Sequence, residues 1–195
     1  MDIRIFILES VALKDRGNLC MSPLTAVLDA CVLFPASLRD TLLRAANMNL
    51  YRMRLTDEIL EEVSRNLIKK GMPEYKAQRL VAKIKGRFSD AFITDHRSMI
   101  VAMPINEKDR HVLAAAVASN AQVIVTQNLK DFPSNLLAPF HIEAQHPDKF
   151  FTSLFHAYYD QMIELLLEQA ANLHDPPMTI VDILEVLMLH TPNFV

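Results

Sequence analysis

Four acidic side chains stand where a parallel α/β sheet would gather its chemistry. Asp29 directly follows the short apolar run LTAVL, residues 24–28. Asp131 lies just past QVIVT, in TQNLKDF, and Asp109 opens the Ala-rich stretch DRHVLAAAVASN that leads into that run. Glu62 sits within TDEILEEVSRNL, three residues after Ile59 and one before Val63, so it borders an apolar stripe while Glu61 points away. Each has a plain structural explanation: a turn for Asp29 and Asp131, a helix cap for Asp109, a solvated face for Glu62. Together they demand more. At roughly 5 Å and an effective dielectric of about 20, each pair of carboxylates costs about 3 kcal/mol. A convergent cluster therefore needs raised pKa values or bound cations. Hard oxygen donors at an open site select Mg²⁺ or Mn²⁺. Such an ion polarises a phosphate and deprotonates a water, which is phosphodiester hydrolysis.

The elements that would position these acids can be read from periodicity. LTAVL, YRMRL, SMIVAM, QVIVT and FHIEA are short apolar runs of strand type. Between them lie helical patterns. SLRDTLLRAA has Ser37 as a candidate cap and Leu38, Leu42, Leu43 and Ala46 on one stripe. TDEILEEVSRNLIKK has Thr56 as cap, Ile59, Leu60, Val63 and Leu67 as stripe, and Lys69 and Lys70 before Gly71. Pro73 opens a further helix to about Lys85, and residues 148–171 and 179–190 read as terminal helices, the second capped by Thr179 after Pro176 and Pro177. Strands alternating with helices predict an α/β fold with a central, mostly parallel sheet flanked by helices. In such sheets the site lies beyond the carboxyl ends of the strands.

Composition excludes several classes. The 195 residues are 51% hydrophobic and 22% charged, which is globular. Three glycines, Gly17, Gly71 and Gly86, leave no phosphate-cradling loop of the GxGxxG or GxxxxGK[ST] kind. Two cysteines, Cys20 and Cys31, make neither a disulfide scaffold nor a cysteine zinc cluster, and fit a reducing, cytoplasmic setting. No apolar run approaches the ~18 residues of a membrane span, and the acids Asp2 and Glu9 argue against a signal peptide. Net charge is −3, unevenly distributed: residues 36–90 carry twelve Lys/Arg against seven Asp/Glu, and residues 140–195 one Lys against eight acids. That asymmetry suggests one polyanion-facing side and a separate region for another purpose.

The segments AVLDACVLFPASLRDTLLRA, LTDEILEEVSRNL and NEKDRHVLAAAVASNAQVIVTQNLKDFP resemble the PIN-domain ribonucleases, and within them the VapC-like toxins of prokaryotic toxin–antitoxin pairs. The resemblance implies a PIN-like domain over residues 21–143, preceded by an extension over 1–20 and followed by a C-terminal helical extension over 144–195. It implies an endoribonuclease in which Asp29, Glu62, Asp109 and Asp131 hold Mg²⁺ or Mn²⁺ and hydrolyse RNA. Many relatives carry Asp where this chain has Asn128, so Asp131 becomes the fourth ligand, with Thr126 and Asn128 orienting a ligand or a water. It implies a cognate antitoxin protein as partner and a homodimer as the default assembly. Arg39 and Arg44, on the helix beyond Asp29, are candidate phosphate contacts. His111 reads as packing or an RNA contact rather than a ligand, Cys31 as a buried inert thiol, and Lys83, Lys85 and Arg87 as surface charges.

Two other readings compete. A metal-dependent phosphatase of the haloacid-dehalogenase kind also places an Asp after its first strand, but wants a second acid two residues on, where this chain has Cys31. A catalytically weak PIN-like module that only binds RNA or protein would be expected to have lost acids. Family chains begin shortly before the first strand, as MSPLTAVLDACVL would. A chain beginning at Met21 is therefore expected to fold and to cleave. Insolubility of that shortened chain would instead show Ile5, Ile7 and Leu8 packed on the core.

Overall fold

The computed structural model describes residues 23–174 and 177–195. The predicted extension over residues 1–20, the start at Met21 and the break at Pro176 lie outside the described residues. The chain builds a four-stranded sheet from β1 (Thr25–Leu28), β2 (Arg52–Arg54), β3 (Val123–Val125) and β4 (Glu143–Gln145). The order is β2-β1-β3-β4 and every pairing is parallel. β1 and β3 are buried along their whole length and, Thr25 apart, apolar, the pattern of central strands covered on both faces. In register, Thr25 faces Arg52, Leu28 faces Val125, and Val125 faces Gln145.

Helices cover the sheet. A single turn, α1 (Ala30–Leu33), leaves β1 and is followed by α2 (Ala36–Asn47). Helix α3 (Asp57–Lys69) starts where predicted: the Thr56 side chain accepts from the Ile59 amide, and Ile59, Leu60, Val63 and Leu67 are its buried residues. It stops at Gly71, whose φ of 94° suits a residue without Cβ. The Gly71 amide donates to the Ile68 carbonyl and the Met72 amide to that of Leu67, the double bond of a Schellman motif. Helix α4 (Glu74–Arg87) follows Pro73, and α5 (Arg110–Ala118) carries the buried Ala-rich face that packs on β1 and β3. A turn of helix, α6 (Ser134–Leu137), precedes β4.

Four local expectations are corrected. SMIVAM is not a strand: Arg97–Ala102 is a 3-10 turn packed on α5, with Val101 83% exposed. A strand needs a sheet edge, and on the β2 side residues 91–93 already bond to Leu55. FHIEA contributes only its end, because Ala138–Phe140 forms a 3-10 turn and His141 takes φ 57° before β4 begins at Glu143. Ser37 lies inside α2, whose cap position is Pro35; the buried residues there are Leu38, Thr41, Leu42 and Ala45, with Leu43 and Ala46 half-buried. The 148–171 segment is two helices, α7 (Pro147–Ala157) and α8 (Tyr159–Ala171), broken at Tyr158.

The last helix, α9 (Ile180–Met188), has a reciprocal cap: Thr179 Oγ1 accepts from the Asp182 amide and Asp182 Oδ2 accepts from the Thr179 amide. The terminal helices share the main core. Phe150 meets Tyr51 edge-on at 5.0 Å, and Thr41 on α2 donates to Gln169 on α8 at 3.0 Å with both side chains buried. The buried Asp148 carboxylate holds the chain end, accepting from the amides of Asn193 (2.9 Å) and Phe194 (2.8 Å) and from the Asn193 side chain. The expected boundary between residues 143 and 144 falls within β4.

Replacing Asp148 with Ala orphans two backbone amides and frees Phe194 from Phe151 and Phe155. Hydrogen bonds to a charged group are worth about 1.5–3 kcal/mol each, so a loss of about 3 kcal/mol is expected. Urea unfolding of Asp148→Ala beside the parent checks it, and a change under about 0.5 kcal/mol would refute the pinning role.

Candidate active site

Asp29 and the loop after β3 come together at the carboxyl end of the sheet because β1 and β3 are neighbours. The Asp29 amide continues the ladder to the Val125 carbonyl at 3.1 Å, and the Thr126 amide reaches the Gln145 carbonyl at 2.9 Å. Asp29 is thus set beside Thr126. Thr126, fully buried, donates from Oγ1 to Asp29 Oδ2 at 2.7 Å and accepts from the Asn128 amide at 3.0 Å. Cys31 Sγ donates to the same Asp29 oxygen at 3.1 Å and accepts from the Gln127 amide at 3.2 Å. Burial first, and then the Asp29 charge, push the Cys31 thiol up to about 12. It stays a thiol and a donor, not a nucleophile.

Asp109 is the N-cap residue of α5, yet its side chain caps nothing. Its Oδ2 is buried without a hydrogen-bond partner. Burial holds its carboxyl above the usual range; Lys108 pulls it down, while Asp131 and Asp29 add to the rise. The three aspartates therefore share one electrostatic field. Lys108 stands among them. Its Nζ donates to Asp131 Oδ2 at 3.0 Å and lies 3.6 Å from Asp109 Oδ2, and the bond to Asp131 leads the causes that raise its own pKa. Glu62 enters from α3, where its Oε2 is 4.0 Å from His111 Nε2, two residues past Asp109.

The remaining candidates have other partners. Arg39 turns inward, Nη1 donating to the carbonyls of Leu33 (2.7 Å) and Phe34 (3.0 Å), so it closes the end of α1. Arg44 pairs with Asp40 one turn earlier at 2.9 Å. The Asn128 side chain is exposed, and only its backbone joins the Thr126 network. Three further side chains take part. Cys31 is the unreactive thiol expected of it, and its added part is the hydrogen bond it donates to Asp29, two residues before it. Lys108 could be suspected only from its adjacency to Asp109. Gln127 Nε2 lies 3.3 Å from His190 Nδ1, which ties the site to the end of α9; no local signal announces that.

A divalent ion fits the chemistry of this donor set. The ligands on offer are carboxylate oxygens, one of which, on Asp109, is buried without a hydrogen bond in surroundings that penalise its charge. Among the described residues, no three His, Cys, Asp or Glu side chains close on one point as a finished cage.

A PIN domain model matches residues 25–130, more than half the chain, and a VapC50 C-terminal domain model matches residues 147–195. A Mycobacterium tuberculosis (strain ATCC 25618 / H37Rv) protein named "Putative ribonuclease VapC50" is 41% identical over 104 residues, 53% of this chain. The match spans 62% of that relative's own length. No solved structure matches the chain. The chain belongs to the PIN-domain family.

Asp109→Asn removes a carboxylate whose charged form the fold disfavours, so melting temperature at neutral pH and without metal is expected to rise. The sign follows from the raised pKa. The charge penalty operates above the folded pKa and vanishes below the ordinary aspartate value of 3.8, where Asp109 is protonated folded or unfolded. The gain over the parent should therefore shrink as pH falls toward 3.8. Paired thermal melts across that range check this, and a variant less stable than the parent at pH 7 would contradict it.

Proposed function

We propose that this member of the PIN-domain family is a metal-dependent endoribonuclease, the toxin of a VapC-like toxin–antitoxin pair, acting in the cytoplasm on RNA. The observation that carries the reading is the pairing of a fixed acid with an unsatisfied one. Asp29 is locked by Thr126 and Cys31, while Asp109 keeps a buried oxygen that accepts no hydrogen bond and has only Lys108, 3.6 Å away, as a counter-charge. Asp29, Glu62, Asp109 and Asp131 would hold Mg²⁺ or Mn²⁺, and bound there the ion would supply Lewis-acid activation of water and phosphate.

The protein's own residues have separate tasks. Thr126 fixes one Asp29 oxygen, which commits the other to face the site. Asp131 holds Lys108, and His111 on α5 stands beside Glu62 as a donor for a phosphate oxygen. Residues 21–143 carry this chemistry, and residues 144–195 brace it through Gln127 and His190. Among the described residues no helix is long and apolar enough to cross a membrane. The proposed partners are an antitoxin whose basic side chain, most naturally Arg, enters among the four acids, and a second copy of the chain.

A catalytically weak RNA- or protein-binding module remains the second reading, favoured by Lys108 lying among the acids without a closed cage. The phosphatase reading has no observation behind it, since Cys31 occupies the place of its second acid.

Asp29→Asn, Glu62→Gln and Asp109→Asn should each lower Mn²⁺-dependent RNA cleavage at least about a hundredfold, with Asp131→Asn costing less. Sequencing of RNA ends produced by purified parent and variants measures this. Two of the first three variants cleaving like the parent would reject the site. Calorimetric titration with Mn²⁺ separates the readings, since a weak module should bind little. In the antitoxin complex, inhibition should fade as Mn²⁺ rises; inhibition unchanged over a hundredfold range would leave steric blocking instead.

A further inference from the structure

An open cavity of about 580 Å³ lies away from the acids. It lies along the outer edge of β2, near the opposite end of the sheet. Arg52 opens β2 and pairs in register with Thr25 at the start of β1, four residues before Asp29. At the usual strand rise that is roughly 13 Å of chain. Three guanidinium groups line this cavity: Arg52, Arg54 and Arg87. Arg52 and Arg54 flank the buried Met53 and so share the strand's outward face. Arg87 comes from the last turn of α4.

These arginines are poorly compensated. The Arg52 guanidinium makes no hydrogen bond or ion pair with the described residues, and its side chain is exposed. Arg54 donates from Nη1 to the Asp90 carbonyl at 2.6 Å, but its Nε is buried without a partner. Burial, then the Arg52 charge, lower the Arg54 pKa, with Asp90 opposing. Arg87 donates to the Asn47 side chain and lies over the Phe88 ring, 5.9 Å from its centre, which holds the guanidinium at the cavity wall. Asp90 is the one carboxylate lining the cavity among the described residues. Three cations against one acid, with a buried donor unused, call for an anion. The twofold step from Arg52 to Arg54 is roughly 6.6 Å of strand, suited to successive phosphates rather than to a single small anion. An arginine fork binds such oxygens in two places at once.

We propose that the cleft along β2 binds the phosphodiester backbone of the RNA substrate, several nucleotides away from the bond that is cut. The inference rests on the ribonuclease reading for the identity of the anion, and it adds the place where a folded RNA is gripped. A nuclease that holds its substrate at both ends of the sheet selects RNA by shape, since the distance between grip and cut must match the fold of the RNA.

The test is RNA binding by the full chain carrying Asp29→Asn, which stops turnover, followed by fluorescence anisotropy of a labelled structured RNA without metal. Adding Arg52→Gln and Arg87→Gln should weaken binding about tenfold. It should also lower the slope of log affinity against log salt by about 1.4, for two phosphate contacts at ~0.7 each. The control removes the same charge elsewhere, with Arg65→Gln and Lys76→Gln on the exposed faces of α3 and α4. Equal weakening by the control would overturn the proposal, because bulk charge would then explain binding. Unchanged RNA binding in the cleft variant, with thermal melts confirming its fold, would overturn it too. So would inorganic phosphate that binds the cleft while leaving RNA affinity untouched, which marks a small-anion site. The two readings fail separately. A parent chain that binds RNA through the cleft but never cuts it loses the nuclease and keeps the grip; one that cuts RNA while the cleft variant binds normally loses only the grip.

Discussion

The hydrogen bond from Thr126 Oγ1 to Asp29 Oδ2 depends on the parallel pairing of β1 with β3, and the site depends on both. Two residues 97 apart in sequence meet because Leu28 faces Val125 in register. A slip of one residue would reverse every side chain of the strand and turn Asp29 away from the crevice. The sheet resists such a slip because β1 and β3 are buried along their whole length and apolar except for Thr25 at the start of β1. Cys31, on the first turn after β1, adds a second donor to the same oxygen and takes one from Gln127. One carboxylate oxygen is thereby immobilised at the cost of two uncharged donors, with no positive charge spent on it.

The charge problem is met differently at Asp109. It is held where burial and two neighbouring aspartates disfavour its ionised form, and its buried oxygen receives no hydrogen bond. Lys108 relieves part of this, bonding to Asp131 and standing 3.6 Å from Asp109. An exposed lysine on a flexible stem is a counter-ion that can leave without unfolding anything, since its side chain is 59% exposed and the pairing is screened by water. A divalent cation, were one to bind these carboxylates, would have to displace only this surface group.

The acidic terminal helices are part of the scaffold. They reach the core through Phe150 against Tyr51 and through Thr41 against Gln169, and they reach the site through His190 beside Gln127. Asp148 closes the arrangement by fixing the last residues on α7. The basic and acidic halves of the sequence thus map to different duties. The acidic half packs and braces. The basic half contributes α3, which carries Glu62, and the arginines along the exposed edge of β2.

What could be read from the sequence is what local chemistry dictates. The α3 stripe of Ile59, Leu60, Val63 and Leu67, its Thr56 cap and its Gly71 stop all stand as read, because each rests on contacts within a few residues. The place of Asp29 at the end of β1 could be read too, since apolar runs of four or five residues mark central parallel strands and the following residue must lie at their carboxyl end. Short runs without that context could not be read. SMIVAM has strand-like residues, but no free sheet edge received it, and a six-residue segment takes whichever shape packing allows. The partners of the acids were equally beyond local reading. Lys108 reaches Asp131 across 23 positions and Cys31 reaches Thr126 across 95, distances that only the folded sheet closes. Residue type set which groups could carry charge. The pairing of strands decided which charges face one another, because electrostatic interaction depends on separation in space and on burial, and neither is encoded by position in the chain.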